Sequence, residues 1–192
     1  RKESGTFYTP KYVVEKICKD TLFDYLYHNT KKKLKEEELR LFVFNKEFEI
    51  SKNFNLNKYA KEIDDLLLHV KICDPAIGSG AFAVKIMSVI VELRIKLNNF
   101  TDRLYKKSAY YLKRDCIQNS IYGVDIDDYA IEITKLRLWL SLIEDKIDYT
   151  EIEPLPNLDF KIVQGNSLLD EYNDRNIGSS IFLEKGKNLD LF

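Results

Sequence analysis

Three polar segments of this 192-residue chain each follow a short apolar run with the character of a strand. They are the loop Asp74–Gly80, with the sequence DPAIGSG, the segment Asp125–Asp127, and the segment Gly165–Ser167. The carboxyl ends of parallel strands meet at one edge of a sheet, and ligands bind in the crevice outside that edge. Glycines in the first loop let a ligand approach the backbone at the start of a helix. We therefore expect the three segments to converge on one ligand site.

The first loop has chemistry that argues against a dinucleotide ligand. Gly78, Gly80 and Ala83 formally satisfy the dinucleotide fingerprint. Asp74, however, places a carboxylate in the loop that would have to hold a pyrophosphate, and like charges at close range repel. A ribose-binding acid should lie about 20 positions further on, whereas Asp125 is 47 positions beyond Gly78. S-adenosylmethionine, with a positive centre and a ribose, fits these residues better.

Alternating strands and helices must position these segments. The predicted elements are a strand over Val70–Cys73, a largely buried helix over Phe82–Leu97, a strand over Ile121–Asp125, a helix over Asp128–Ile143 and a strand over Leu158–Val163. The helix over Asp128–Ile143 carries Ile133, Leu136, Leu140 and Ile143 on one face, and Trp139 is expected in the core. This alternation predicts a parallel sheet and an α/β fold.

The amino-terminal third has a helical character. Thr9 and Pro10 form a helix-start signal, with the Thr9 oxygen capping free amides and Pro10 in the first turn. Val14, Ile17, Cys18, Leu22 and Tyr25 follow at helical spacing. The segment 41–56 is ambiguous and is assigned neither as a strand nor as a helix.

The composition indicates roughly one globular domain with a small appendage. Hydrophobic residues make up 45% of the chain, charged residues make up 32%, and glycine and proline number only 7 and 4. These values exclude disordered and low-complexity classes. With 30 basic and 31 acidic residues, the net charge of −1 gives no overall attraction to a polyanion. If the protein acts on nucleic acid, we expect regions outside this chain to supply most of the contact.

The cysteines and the chain ends carry further information. Cys18, Cys73 and Cys116 are far apart, so we expect no structural zinc and a reduced, cytoplasmic setting. The longest apolar run is too short to span a bilayer, and no signal peptide precedes it. The chain opens at Arg1 and its only methionine is Met87, so we expect it to be a piece of a longer polypeptide.

Four motifs, in this order, resemble those of adenine-specific DNA methyltransferases, most closely the modification region of single-chain type II restriction-modification enzymes. The motifs are Gly5–Pro10 (GTFYTP), Asp74–Phe82 (DPAIGSGAF), Tyr122–Asp127 (YGVDID) with Leu136–Leu140 (LRLWL), and Gly165–Leu169 (GNSLL). The resemblance implies a partial Rossmann-like methyltransferase fold, consisting of the first half of a parallel sheet with helices on both faces. A mostly helical segment over residues 1–69 would precede a cofactor-binding half-domain over residues 70–192.

The resemblance also implies roles for individual residues toward S-adenosyl-L-methionine. Tyr8, Thr9 and Pro10 would flank the methionine end of the cofactor. Asp74, Ala76 and Gly78 would line the loop beneath it, Asp125 would bind the ribose, Ile126 would pack on the adenine ring, and Asn166 with Ser167 would reach the adenine edge. Ile77 stands where many relatives have cysteine.

The catalytic motif of the resembled family, Asn/Asp-Pro-Pro followed by an aromatic residue, is absent from the sequence. Pro154 and Pro156, the nearest prolines, precede the third strand instead of following a fourth. In the family, this motif holds the target amine of a flipped base. We therefore assign no catalytic residue and no metal to this chain, and we expect catalysis to belong to sequence beyond Phe192. DNA would be the partner, bound mostly by regions outside the chain.

Several alternatives remain open at this point. The chain could come from a methyltransferase acting on RNA, protein or a small molecule, or be a non-catalytic S-adenosylmethionine-binding module. The GTFYTP motif before the cofactor loop favours DNA adenine. Among the site residues, Asp125 could instead cap the following helix, and Asn166 could be only a turn former.

The first strand raises a separate expectation about its edge. If the sheet continues beyond Val70–Cys73 in a longer protein, that strand has an unpaired edge here, which proteins rarely leave bare. We predict self-association through this edge, or its coverage by the 41–56 segment or the carboxyl-terminal tail.

Overall fold

The computed structural model describes residues 9–30, 33–48, 54–98, 100, 108–145, 154, 156–168, 171–172 and 175–176. The elements in these ranges are α1 (Lys11–Asn29), α2 (Glu36–Phe44), α3 (Phe54–Lys58), α4 (Ala60–His69), β1 (Ile72–Asp74), α5 (Ala81–Leu97), α6 (Ala109–Asn119), β2 (Ile121–Asp125), α7 (Asp128–Ile143), β3 (Ile162–Gln164), β4 (Glu171–Tyr172) and β5 (Arg175–Asn176). None of the described helices is long and apolar enough to cross a membrane.

Strands β1, β2 and β3 form a parallel sheet with β2 in the centre. Asp74 of β1 is paired with Gly123 of β2, and Asp125 of β2 is paired with Gln164 of β3. Helices lie in both crossovers, as parallel connections commonly require. The predicted α/β class with a parallel sheet is therefore confirmed. Strands β4 and β5 form a separate antiparallel pair.

Two strands begin later than the apolar pattern predicted. β1 starts at Ile72, because Val70 is the C-cap of helix α4. β3 starts at Ile162, because the Leu158 carbonyl accepts hydrogen bonds from the N–H groups of both Lys161 and Ile162 at 2.9 Å, which makes a turn there. β2 and α7 have the predicted bounds.

The first turn of α1 is closed by the backbone. Pro10 is the N-cap residue, and its carbonyl accepts the Val14 N–H at 3.1 Å. No side chain caps this helix, so the prediction that the Thr9 oxygen does so is wrong. The physical reason is position: Thr9 lies one residue before the cap, whereas a capping oxygen must reach the second or third helical amide from the cap itself.

Helices α1, α4 and α5 share one continuous core with the sheet. Its fully buried side chains include Leu22 and Leu26 of α1, Ile63 of α4, and Met87 and Ile90 of α5. Each such side chain contributes roughly 1.5–3 kcal/mol of burial free energy. The ambiguous 41–56 segment holds the end of α2 and the beginning of α3, so its described ends are helical. The amino-terminal helices thus pack directly on the elements that carry the sheet.

Helix α7 turns a different face inward from the one the sequence indicated. Its buried residues are Ile131, Thr134, Leu138, Ser141 and Leu142. Ile133, Leu136 and Leu140 are instead 47%, 51% and 47% exposed, and Trp139 is only half-buried. Because α7 is apolar on most of its circumference, the spacing of its large side chains does not by itself select the packed face.

Ionic contacts fix α1 on α5. Glu15 of α1 contacts Lys85 of α5 at 2.8 Å and Lys19 of its own helix at 3.0 Å. Hydrogen bonds from Lys85 and then from Lys19 lower the pKa of Glu15 from 4.5 to about 2. The contribution of Glu15 to stability is therefore present above about pH 4.5 and is lost as the pH falls toward 2.

A second ion pair, fully buried, joins α4 to α5. Arg94 Nε lies 2.8 Å from Asp64 Oδ1, and the two side chains are 3% and 5% exposed. A buried charge is stable only while its partner remains, because the protein interior cannot replace the lost hydration.

We expect the substitution Asp64→Ala to lower the free energy of unfolding by about 3–5 kcal/mol, because it leaves the Arg94 guanidinium buried and unpaired. Urea denaturation measures this loss. The matched control is Asp20→Ala, which removes an exposed pair with Lys16 on α1 and should cost about 1 kcal/mol or less. Equal losses in the two variants would contradict the structural role of the buried pair.

Candidate functional site

The loop after β1 is a tight turn that leads into helix α5. The Asp74 Oδ1 atom accepts the Ala76 N–H at 3.1 Å. The Ile77 N–H donates to the Val124 carbonyl of β2 at 2.9 Å, and the Gly80 N–H donates to the Ile77 carbonyl at 2.9 Å. The loop is therefore closed on itself and attached to the central strand.

Gly78 and Gly80 both have left-handed backbones, with φ of 52° and 78°. A Cβ atom at Gly80 would lie 2.9 Å from the Thr134 side chain, so this position lacks both the conformation and the space for a larger residue. A Cβ atom at Gly78 would meet nothing within 4 Å. Gly78 is thus required by its backbone conformation, and the space beside it is open.

Asp125, at the end of β2, joins two of the predicted segments. Its Oδ2 atom accepts the Gly78 N–H at 2.7 Å, and its Oδ1 atom accepts the Asp127 N–H at 3.0 Å. Asp127 is the N-cap of α7, where its side chain accepts the Tyr129 N–H at 3.0 Å. Since Asp127 caps the helix, the alternative in which Asp125 is the cap does not hold.

The third segment reaches the same place. The Gly165 N–H donates to the Asp125 carbonyl at 2.8 Å, and Ser167 Oγ donates to the Pro75 carbonyl at 2.7 Å. Asn166 Oδ1 accepts the Leu168 N–H at 3.0 Å, which is a turn contact and leaves the rest of this exposed side chain available. The three strand-end segments therefore converge, as their positions in the sequence predicted.

The site combines acidity with partial burial. Burial raises the pKa of Asp74, the hydrogen bond from Ala76 lowers it, and the negative charge of Asp125 raises it further, with a net rise above 3.8. Two carboxylates at adjacent strand ends favour a ligand that carries a positive charge and hydroxyl donors. In the described part of the chain, no three His, Cys, Asp or Glu side chains group as metal ligands.

The remaining predicted residues lie around this centre or outside what the structure describes. Ile126 directly follows Asp125, is 69% exposed, and has its carbonyl held by Gln164 Nε2 at 3.1 Å. Thr9 and Pro10 are exposed at the start of α1, and none of the hydrogen bonds described for them reaches the Asp74–Gly80 loop. Tyr8 lies outside the described residues.

An apolar cavity of about 230 Å³ lies against β1 and the start of β2, next to Asp74. Helix α1 lines it with Ile17, Cys18 and Thr21, and the lining continues with Ile72, Cys73, Asp74, Pro75, Phe82, Ala83, Ile86, Ile121 and Tyr122. Burial raises the pKa of the Cys18 thiol to about 11, so this cysteine stays protonated at neutral pH. The cavity places α1 close to the loop, although Thr9 and Pro10 are not among its lining residues.

Sequence reasoning missed two residues of α7 that contact the glycine loop. Thr134 and Arg137 donate to the carbonyls of Gly78 and Ser79. Residues three positions apart lie on one face of a helix, but that spacing does not indicate contact with a loop 56 positions away.

Comparison with known proteins shows to which family the chain is related. Residues 48–176 match the family model of the MmeI DNA-methyltransferase domain. The chain is 31% identical, over 88% of its length, to a Methanocaldococcus jannaschii protein named as a candidate type II restriction enzyme and methyltransferase. It is 32% identical, over 74% of its length, to the type II restriction enzyme and methyltransferase RM.Eco57I of Escherichia coli. DNA methyltransferase A of Bacillus subtilis is 36% identical over 38% of the chain.

The two longer matches are to proteins much longer than this chain. It spans 15% of the length of the Methanocaldococcus jannaschii relative and 16% of that of the Escherichia coli relative. The resemblance seen in the ordered motifs is confirmed by a family match that covers more than half of the chain, including the loops after β1, β2 and β3. The chain belongs to the MmeI DNA-methyltransferase domain family.

Proposed function

We propose that this chain is the S-adenosyl-L-methionine-binding part of a DNA methyltransferase that methylates the exocyclic amine of adenine in a restriction-modification system. The observation that carries the proposal is the double contact of Asp125. Its carboxylate fixes Gly78 of the first loop through one oxygen and the start of the α7 segment through the other. One acidic group at the end of the central strand therefore organises the proposed site.

The chemistry of the residues present fits this cofactor. Asp74 supplies a negative charge for the cationic methionine end, beside Ala76 and Gly78 of the loop. Each oxygen of Asp125 has one backbone donor and retains a lone pair for a ribose hydroxyl. Exposed Ile126 offers an apolar surface to the adenine ring, and Asn166 with Ser167 offers polar atoms to its edge. Tyr8, Thr9 and Pro10 complete the set at the methionine end.

In this proposal, the chain binds the methyl donor, and other regions of the protein bind the target base and the DNA. The sulfonium of the cofactor is an activated methyl donor, so the protein has to supply position and electrostatics. This chain would bind and orient the donor as a Rossmann-like half-domain over residues 70–192, with the helical segment 1–69 supporting it. Specificity for adenine is supported by the GTFYTP motif, and action on DNA by the names of the relatives. The target amine and most of the DNA would be held by other regions of a longer cytoplasmic protein.

Binding of the cofactor product is the direct test. Isothermal titration of the chain with S-adenosylhomocysteine should show saturable binding, and Asp125→Asn should weaken it about tenfold or more, because a hydrogen bond to a charged group contributes about 1.5–3 kcal/mol. Asp159→Asn is the matched control, since Asp159 is exposed and precedes β3 at the opposite end of that strand. No binding by the wild-type chain would overturn the proposed function.

We expect the ionised Asp74 carboxylate to lower the stability of the folded state but to strengthen cofactor binding. Its folded-state pKa is raised, so ionisation of this carboxyl disfavours the folded state, and the related stability is lost as the pH rises through that pKa. Asp74→Asn should therefore raise the melting temperature more at pH 7 than at pH 3.5, and it should weaken cofactor binding at pH 7. A lower melting temperature at pH 7, with binding unchanged, would contradict the proposed role.

Self-association through the edge of β1 is a further part of the proposal. Cys73 in the middle of β1 is exposed, whereas Cys18 and Cys116 are buried. The rate at which a thiol reagent labels Cys73 therefore measures the accessibility of β1. Labelling of Cys73 by a thiol reagent should slow as protein concentration rises, while sedimentation velocity shows a dimer. Fast labelling at every concentration, with a monomer in sedimentation, would contradict self-association.

A further inference from the structure

Helix α7 contacts the glycine loop through two side-chain donors. Thr134 Oγ1 donates to the Gly78 carbonyl at 2.8 Å. Arg137 Nη1 donates to the Ser79 carbonyl at 2.8 Å and to Ser79 Oγ at 3.1 Å. Two consecutive carbonyl groups of the loop are thus fixed by residues three positions apart on one helix.

Gly78 is held at both of its polar backbone atoms. Asp125 accepts its N–H at 2.7 Å, and Thr134 donates to its carbonyl at 2.8 Å. Both partners belong to one continuous unit, because β2 ends at Asp125 and α7 begins at Asp128. The peptide groups on either side of Gly78 therefore have their orientation set relative to the Asp125 carboxylate.

Thr134 also fixes the next glycine by contact. The Thr134 side chain is fully buried, and an added Cβ at Gly80 would lie 2.9 Å from both its Oγ1 and its Cγ2 atoms. Thr134 thus fills the space that a side chain at position 80 would take. Its hydroxyl is directed at the loop, and a residue of the same shape without that hydroxyl would leave the Gly78 carbonyl without this donor.

The positive charge of Arg137 lies near the amino end of helix α5, where the helix dipole disfavours a cation. It lies at Ser79, next to Gly80, the N-cap of α5, and the amino end of a helix carries partial positive charge. Arg137 is also exposed, and its contacts to the loop are to a neutral carbonyl and a hydroxyl. The contribution of Arg137 to the free energy of unfolding is therefore small. What distinguishes Arg137 is that its two hydrogen bonds fix the orientation of Ser79 in the loop.

We propose that Thr134 and Arg137 are positioning residues that orient the Gly78–Gly80 backbone for the cofactor. This inference rests on the proposed function, because the loop is the proposed cofactor cradle. The two residues act through the loop, and by pre-orienting it they lower the ordering cost of cofactor binding.

The test separates the Thr134 hydroxyl from its packing. Thr134→Val keeps the volume and removes the donor, whereas Thr134→Ser keeps the donor and removes a methyl group. By isothermal titration with S-adenosylhomocysteine, we expect Thr134→Val to weaken binding about tenfold, the equivalent of about 1.4 kcal/mol. Thr134→Ser should remain within about threefold of the wild type. A role in packing alone gives the reverse order and would overturn the inference.

Arg137 is tested in the same assay with a neighbouring cation as its control. Arg137→Met should weaken binding severalfold, and Lys135→Met should leave it unchanged, because Lys135 is paired with Glu132 at 3.0 Å. Equal weakening by both substitutions would indicate a general charge effect and would overturn the positioning role of Arg137.

Hydrogen exchange provides a readout that does not depend on the cofactor. Thr134→Val should speed the exchange of the Gly78 and Gly80 amides in the free protein, with the amides in the middle of α5 unchanged. Wild-type binding that persists in all Thr134 and Arg137 variants would overturn this inference alone. A wild-type chain that does not bind S-adenosylhomocysteine would overturn both this inference and the proposed function.

Discussion

The hydrogen bond from the Gly78 N–H to Asp125 Oδ2 links the two halves of the candidate site across 47 positions of sequence. It lies beside the backbone contact from Ile77 to Val124, so the loop after β1 is attached to β2 through two successive residues. A loop held this way places its glycines at a fixed distance from the central carboxylate. The contacts of Gly165 and Ser167 then add the third segment to an arrangement that these bonds have already defined.

This arrangement concentrates negative charge in a chain that is nearly neutral overall, at −1. Asp74 and Asp125 lie close enough to interact electrostatically, and the raised pKa of Asp74 reflects first its burial and also its acidic neighbour. A carboxyl group with a shifted pKa beside a second carboxylate is typical of a functional site, which agrees with the methyltransferase family to which the chain belongs.

Local signals in the sequence predicted the elements better than they predicted which surfaces meet. The bounds of α7 followed from the acidic residues at its start and from its apolar run. The inward face of α7 could not be read in the same way, because Ile133 and Leu136 are as apolar as the buried Leu138. The convergence of the strand ends was predictable from the rule for parallel sheets. The contact between Thr134 and Gly78 was not, because it joins residues 56 positions apart through the packing of a helix on a loop.

The close packing of Ile77 on Gly123 has an evolutionary consequence. A Cβ atom at position 123 would lie 2.2 Å from Ile77 Cδ1 and 3.0 Å from Ile77 Cβ, so the two residues share a single volume. The loop cannot retreat easily, because its Ile77 N–H is bonded to the Val124 carbonyl. Alanine at position 123 therefore requires either that the Ile77 side chain rotates its Cδ1 away and its Cβ shifts by a few tenths of an ångström, or that position 77 carries a shorter side chain. We therefore expect the side-chain sizes at positions 77 and 123 to vary together among related sequences.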